Sequence, residues 1–264
     1  MLRAQTSDTI STSPKLIHTQ WYSHAEQIYR RVDIYVPAGY EEQATSPCSE
    51  GKMHAVYLLH GIAGYEGSWV DLGSATDTLD TLIAAGLCPP VILVMPDCNK
   101  WPFVERPSHH NNLWKCIFHY GRLRNEHTIE LALSDLLDMM DSTYCISDCS
   151  IAGLSDGARM AANLANTRPD RITRVGMFTP VVYKDQLPTD TVITYQIFAG
   201  KNDFFLPNAK RFRRRLIKAD YPHLEFYMLK SGHNWRMWSR CLSLFLRQPS
   251  PVEEPEYLEG ELTE

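Results

Sequence analysis

Short apolar runs alternate with amphipathic helical patterns along most of this 264-residue sequence, and that alternation limits the fold more than any other feature. The runs HAVYLLH (54–60) and PVILVMP (90–96) are apolar at successive positions, the mark of strands buried on both faces of a sheet. Between them, residues 76–85 have helical character and stop at Gly86. Ile129, Leu133, Leu136, Leu137 and Met140 recur at helical spacing just before the run CSIAG (149–153). Residues 28–36 alternate like a half-buried strand, with Ile28, Val32, Ile34 and Val36 on one face and Arg31 and Asp33 on the other, although Arg30 breaks the pattern. Further strands are predicted over 174–179, 192–199 and 224–229, and further helices over 155–166, 207–219 and 234–246. Strands alternating with helices pack as a mostly parallel sheet with helices on both faces.

Length and composition agree with one α/β domain. A hydrophobic content of 44% against 22% charge excludes disorder and fibrous repeats for the body of the chain. The formal charge of −5 misleads, because residues 248–264 carry six Glu and no Lys, Arg or Asp, leaving +1 on the rest. The expected organisation is a domain over 1–247 followed by a flexible acidic tail over 248–264. No window reaches the length of an apolar membrane span, so no membrane partner is expected. The first twenty residues are polar and lack an apolar block of signal-peptide length, which points to a cytoplasmic location. Seven cysteines are odd in number and follow no framework spacing, and there is no H-E-x-x-H; the expectation is reduced thiols, no metal and no cofactor. His109, His110 and His119 are read as hydrogen-bonding or exposed residues rather than ligands.

One segment carries chemistry. Gly153-Leu154-Ser155-Asp156-Gly157 is a G-x-S-x-G motif that directly follows an apolar strand and opens an Ala-rich helix. A strand-to-helix turn of this kind is too tight for side chains at the flanking positions, and it exposes the serine beside free helix N–H groups. A serine needs a base and an acid to orient that base. Asp203 follows the strand over 192–199, and His233 follows the strand over 224–229. Each falls at a strand's carboxyl end, where parallel-sheet proteins build their sites. The order Ser155, Asp203, His233 is that of α/β-hydrolases. HGIAG, beginning at His60, supplies a Gly-rich loop whose Ile62 N–H, with that of Asp156, is the candidate oxyanion hole; His60 is read as a brace for the loop.

Taken together, HGIAG, GLSDGA, AGKNDFF and GHNWRMW resemble the esterase-D/tributyrin-esterase type of α/β-hydrolase over roughly residues 25–247. That group includes feruloyl and acetyl-xylan esterases, S-formylglutathione hydrolases and mycolyltransferases. The resemblance implies the α/β-hydrolase fold, serine-hydrolase activity, and the roles of Ser155, Asp203 and His233. Two departures stand out. The family often has Ser-Met-Gly-Gly at the elbow, where this chain has Ser155-Asp156-Gly157-Ala158. A carboxylate facing the oxyanion would oppose catalysis, so Asp156 is expected to turn away or to cap the helix. Relatives also often insert a longer cap where this chain has only residues 181–191.

The extra length lies instead in 97–125, an aromatic-rich stretch whose Trp101, Phe103 and Trp114 are candidates to line the substrate, with Trp235 beyond His233. The basic run 210–218 resembles a nucleic-acid patch, but Phe205, Ala209, Phe212 and Leu216 supply an apolar stripe that makes it the solvated face of an ordinary helix, so no nucleic-acid partner is expected. The expected activity is hydrolysis of small or carbohydrate-linked carboxylic esters of acetyl, short-chain acyl or feruloyl type, through an acyl-enzyme. A thioesterase of the S-formylglutathione hydrolase type, an acyltransferase and a non-catalytic binding module with the same fold are the alternatives.

Overall fold

The computed structural model describes residues 13–38, 53–99, 126–144, 146–182, 187–188 and 190–247. The acidic tail and the aromatic stretch carrying Trp101, Phe103 and Trp114 lie outside them, as do His109, His110 and His119. Eight strands form one sheet: β1 (Lys15–Ser23), β2 (Ile28–Val36), β3 (Met53–Leu59), β4 (Ile92–Pro96), β5 (Ile146–Leu154), β6 (Ile172–Phe178), β7 (Thr194–Gly200) and β8 (Leu224–Leu229). Their order across the sheet is β1-β2-β4-β3-β5-β6-β7-β8. β1 and β2 run antiparallel, and β2 meets β4 antiparallel. Every later pairing, from β4–β3 through β7–β8, is parallel. This is the α/β-hydrolase fold.

The continuous apolar runs are explained by two cores. Along β3, Ala55, Tyr57 and Leu59 face one core while Val56 and Leu58 face the other; Ile92 and Val94 oppose Leu93 and Met95 in the same way on β4. The first core is covered by α3 (Glu126–Tyr144), α4 (Asp156–Thr167) and α5 (Leu206–Lys218). The second lies under α1 (Ser68–Asp71), α2 (Ala75–Ala84) and α6 (Trp235–Leu246). Ile129, Leu133, Leu136, Leu137 and Met140 are all buried on α3, as their spacing requires. Helix α2 ends where predicted, with Gly86 at φ 69, a left-handed position that glycine fills without penalty. On α5, Ala209, Phe212 and Leu216 are buried while Lys210, Arg211, Arg214 and Lys218 are exposed, and Arg213 lies over the Phe226 ring at 5.0 Å.

Two features of the N-terminal region differ from the sequence reading. Strand β1 is not predicted by pattern, and Asp33 is buried rather than solvent-facing. The two facts have one cause. β1 pairs along β2 and brings His18 onto Asp33, with Nδ1 at 2.6 Å from Oδ1. The edge strand is itself anchored by Trp21, whose buried Nε1–H donates to the Ala132 carbonyl of α3 at 2.9 Å. Arg30, which broke the alternation, is buried because its guanidinium donates to Glu26 Oε1 at 2.6 Å and to the carbonyls of Asp97 and Asn99 at 3.2 and 2.8 Å. No helix among the described residues is long and apolar enough to cross a membrane.

Candidate active site

Strand β5 ends in the elbow, and the elbow's geometry follows from its glycines. A Cβ on Gly153 would fall 2.3 Å from the carbonyl carbon and oxygen of Gly157; one on Gly157 would fall 2.3 Å from the His60 carbonyl oxygen. Only hydrogen fits at either place, so the chain can reverse into α4 directly against the end of β3. Ser155, at the apex, has φ 55 and ψ −117. Such a conformation costs a non-glycine residue roughly 1–3 kcal/mol, and hydrogen bonds hold it there. Its N–H donates to the Phe178 carbonyl at 3.0 Å, and its carbonyl accepts from the Val181 N–H at 3.1 Å.

The structure brings all three residues of the predicted triad together. His233 Nε2 lies 3.0 Å from Ser155 Oγ, and His233 Nδ1 lies 2.8 Å from Asp203 Oδ2. With a carboxylate at Nδ1, the proton of a neutral imidazole sits there, leaving Nε2 to accept from the serine. Asp203 is buried, and its second oxygen accepts from the Phe205 N–H at 2.7 Å. The turn after β7 leaves no room for a side chain at Gly200, where a Cβ would lie 2.5 Å from the Ser231 carbonyl oxygen. The loops bearing Asp203 and His233 therefore touch through backbone, with the Asn202 N–H donating to that same carbonyl at 3.0 Å.

The Gly-rich loop after β3 turns at Gly61–Gly64, where the Gly64 N–H reaches the Gly61 carbonyl at 3.1 Å and Ala63 takes φ 62. Ile62 lies within this turn, and Asp156 is the first residue of α4. His60 is buried beneath the loop; its Nδ1–H donates to the Gly61 carbonyl at 2.7 Å, and Nε2 accepts from the Cys98 N–H at 3.1 Å. Asn99 adds a second tether, its Nδ2 donating to the Gly64 carbonyl at 2.8 Å. Asp97 Oδ1 accepts from the Asn99 N–H at 3.1 Å and from Asn99 Nδ2 at 2.6 Å beside the His60 ring. The loop thus rests on a buried polar layer at the end of β4.

Asp156 places its carboxylate on Arg159, one turn along α4, with Oδ1 accepting from Nε at 3.1 Å and Nη2 at 2.8 Å. Arg159 is buried, so the pair is a built feature. The acid does not cap the helix: the residue at that position is Ser155, and it makes no side-chain capping bond.

Sequence reasoning missed Thr179, the residue after β6. It is buried at φ 45, unusual for a β-branched residue. Its Oγ1 accepts from Trp238 Nε1–H at 2.8 Å and lies 3.2 Å from His233 Nδ1. The available signal was its place at a strand's carboxyl end, in register with the other site residues. Trp238 also packs edge-on against the imidazole at 5.1 Å, while Phe204 and Phe205 each lie 5.0 Å from it. Phe204 is 72% exposed, a large apolar ring left open beside the histidine. Trp235 is half-buried and packs edge-to-face on Trp69 and Trp238 at 5.4 and 5.2 Å. Among the described residues no group of three or more His, Cys, Asp or Glu is arranged to hold a metal ion.

Comparisons with known proteins find esterases. A curated endo-1,4-beta-xylanase/feruloyl esterase from Xylanibacter ruminicola is 23% identical over 229 residues, 84% of this chain but 29% of that protein. The chain therefore spans under a third of that relative. A solved ferulic acid esterase superposes with a TM-score of 0.69 at 20% identity, covering 89% of this chain and 97% of its own. The S-formylglutathione hydrolase FrmB of Staphylococcus aureus superposes with a TM-score of 0.66 at 14% identity, covering 90% and 96%. The family model described as Putative esterase matches residues 23–201, from the end of β1 through β7 and including the elbow. The chain belongs to this esterase family.

Proposed function

We propose that the chain is a serine carboxylesterase that cleaves carbohydrate-linked carboxylic esters, of feruloyl or acetyl type, through an acyl-enzyme. The observation that carries this reading is the unbroken run from Asp203 Oδ2 to His233 to Ser155 Oγ, at 2.8 and 3.0 Å. Ser155 Oγ attacks the ester carbonyl while its proton passes to His233 Nε2. The carbonyl electron pair moves onto oxygen, where the N–H groups of Ile62 and Asp156 receive the charge. Asp203 holds the imidazolium that forms. Collapse of the intermediate breaks the carbon–oxygen bond to the alcohol, which leaves with the proton from Nε2. Water, deprotonated by His233, then attacks the acyl-serine and releases the acid.

The substrate class is supported by the name of the Xylanibacter ruminicola relative and by the exposed Phe204 ring beside His233, a flat apolar face suited to a sugar or phenolic ring. The test compares methyl ferulate, acetylated xylan and S-formylglutathione, with Ser155→Ala alongside. Ferulate or acetyl esters should give the highest kcat/KM, and Ser155→Ala should lower kcat by about a millionfold. A preference for the thioester would make the protein a thioesterase. Transfer of ferulate to added xylose in place of water would make it an acyltransferase. Equal background rates for parent and Ser155→Ala would leave only a binding module.

A further inference from the structure

We infer that Thr179 is a positioning residue for His233, held in that role by Trp238. The inference rests on the triad reading above. The Nδ1–H of His233 meets two acceptors, Asp203 Oδ2 at 2.8 Å and Thr179 Oγ1 at 3.2 Å. An indole N–H is a donor only, so the 2.8 Å bond from Trp238 Nε1 obliges Thr179 Oγ1 to accept. Oγ1 keeps a second lone pair after taking that bond, and with the Nδ1 proton held on the side of Asp203 this lone pair is what the imidazole meets. Thr179 is fully enclosed, and its N–H is tied to the Phe198 carbonyl at 2.8 Å, so the hydroxyl sits on a backbone that cannot drift. Thr179 takes φ 45, an outlier for a β-branched residue, and its hydroxyl lies against both the imidazole and the indole. Backbone outliers of this kind cluster at functional sites, where the surrounding structure holds them in place.

The consequence is a second acceptor for the charged imidazole. Of the residues bonded to the His233 ring or stacked on it (Ser155, Thr179, Asp203, Phe204, Phe205 and Trp238), Asp203 alone carries a charge. Thr179 Oγ1 complements that charge and opposes rotation of the ring out of the plane that serves Ser155.

The experiment uses the full chain carrying Thr179→Val, Thr179→Ser, Trp238→Phe, and the Thr179→Val/Trp238→Phe pair, with kcat and KM for p-nitrophenyl acetate followed from pH 5 to 9. Thr179→Val should lower kcat roughly tenfold with KM within about twofold. It should also move the acidic limb of kcat/KM toward lower pH by roughly half a unit, because the protonated ring has lost an acceptor. Thr179→Ser should restore both. Trp238→Phe should move the limb in the same direction, and the pair should be no slower than Thr179→Val alone. If Thr179→Val does not fold, the Trp238→Phe limb decides. A slower enzyme with an unmoved limb, or failure of Thr179→Ser to rescue, overturns the inference and leaves Thr179 a packing residue. Ser155→Ala and His233→Ala separate the two readings: parental rates in those variants sink the triad itself, whatever Thr179 does.

Discussion

Adding one carbon at Gly157 tests whether the elbow's glycine is needed for space or merely for flexibility. In Gly157→Ala the new Cβ would lie 2.3 Å from the His60 carbonyl oxygen and 2.7 Å from that of Leu59, where ordinary contact begins near 3.4 Å. Both neighbours are backbone, so no side chain can swing aside. Either the start of α4 or the loop after β3 must retreat by roughly 1 Å, and each carries one proposed oxyanion donor. A displacement of that size at a reacting centre costs about a hundredfold in rate, comparable to losing one such donor. Overpacking should also remove about 1–3 kcal/mol of stability, a fall in Tm of about 3–10 °C for a domain of this size. The assay is kcat with p-nitrophenyl butyrate, normalised to sites titrated by a fluorophosphonate so that unfolded molecules do not count. Gly86→Ala is the control: Gly86 has φ 69, but nothing lies within 4 Å of its would-be Cβ. That variant should lose stability through backbone strain and keep its rate. If Gly157→Ala holds kcat within threefold of the parent, or if both variants slow alike, the steric reasoning is wrong.

Two further outcomes follow from buried groups. Arg159→Met removes the guanidinium that balances the Asp156 carboxylate next to the nucleophile; kcat should fall about tenfold, and adding Asp156→Asn should return it to within about threefold of the parent. Absence of that rescue, measured on titrated sites, would show that the pair serves only to hold the helix. Burial pushes the Cys149 thiol up to about 12 and that of Cys88 up to about 11, and it raises Cys241 well above its ordinary value. A raised thiol pKa means almost no thiolate below it, so at pH 8 iodoacetamide should leave all three unmodified in the folded protein. Peptide mass spectrometry that finds Cys149 alkylated while esterase activity persists would contradict this.

Local pattern reveals what local packing decides. Strands β3 and β4 are legible because both faces are buried, which leaves continuous apolar runs at 54–60 and 90–96. The triad is legible because its residues follow predicted strands in a fixed order, and because the glycines at 153 and 157 mark a place where backbone meets backbone. Strand β1 leaves almost no trace: as an edge strand it buries only Trp21 and Ser23, so its pairing is recorded in its register with β2 rather than in its hydrophobicity. Asp33 was misplaced for that reason. Thr179 and Trp238 are 59 positions apart and meet only when α6 packs over the end of β6; no window of sequence holds both. The Asp156–Arg159 pair, by contrast, sits at helical i, i+3 spacing, a signal present in the residues although Arg159 was not singled out there.

The parallel order of β5, β6, β7 and β8 has a consequence for how this protein comes into being. Ser155, Thr179, Asp203 and His233 each stand at the end of a different one of these strands, and Ser155 is 78 positions from His233. Among the described residues no hairpin joins any two of these four side chains. Each neighbouring pair must instead be closed across a crossover connection, through α4 between β5 and β6 and through α5 between β7 and β8, a slow kind of contact to form. During refolding, far-ultraviolet ellipticity and tryptophan burial can therefore recover while esterase activity still lags, until β8 docks on β7 and delivers His233. Activity in this fold reads out completion of the sheet's last edge.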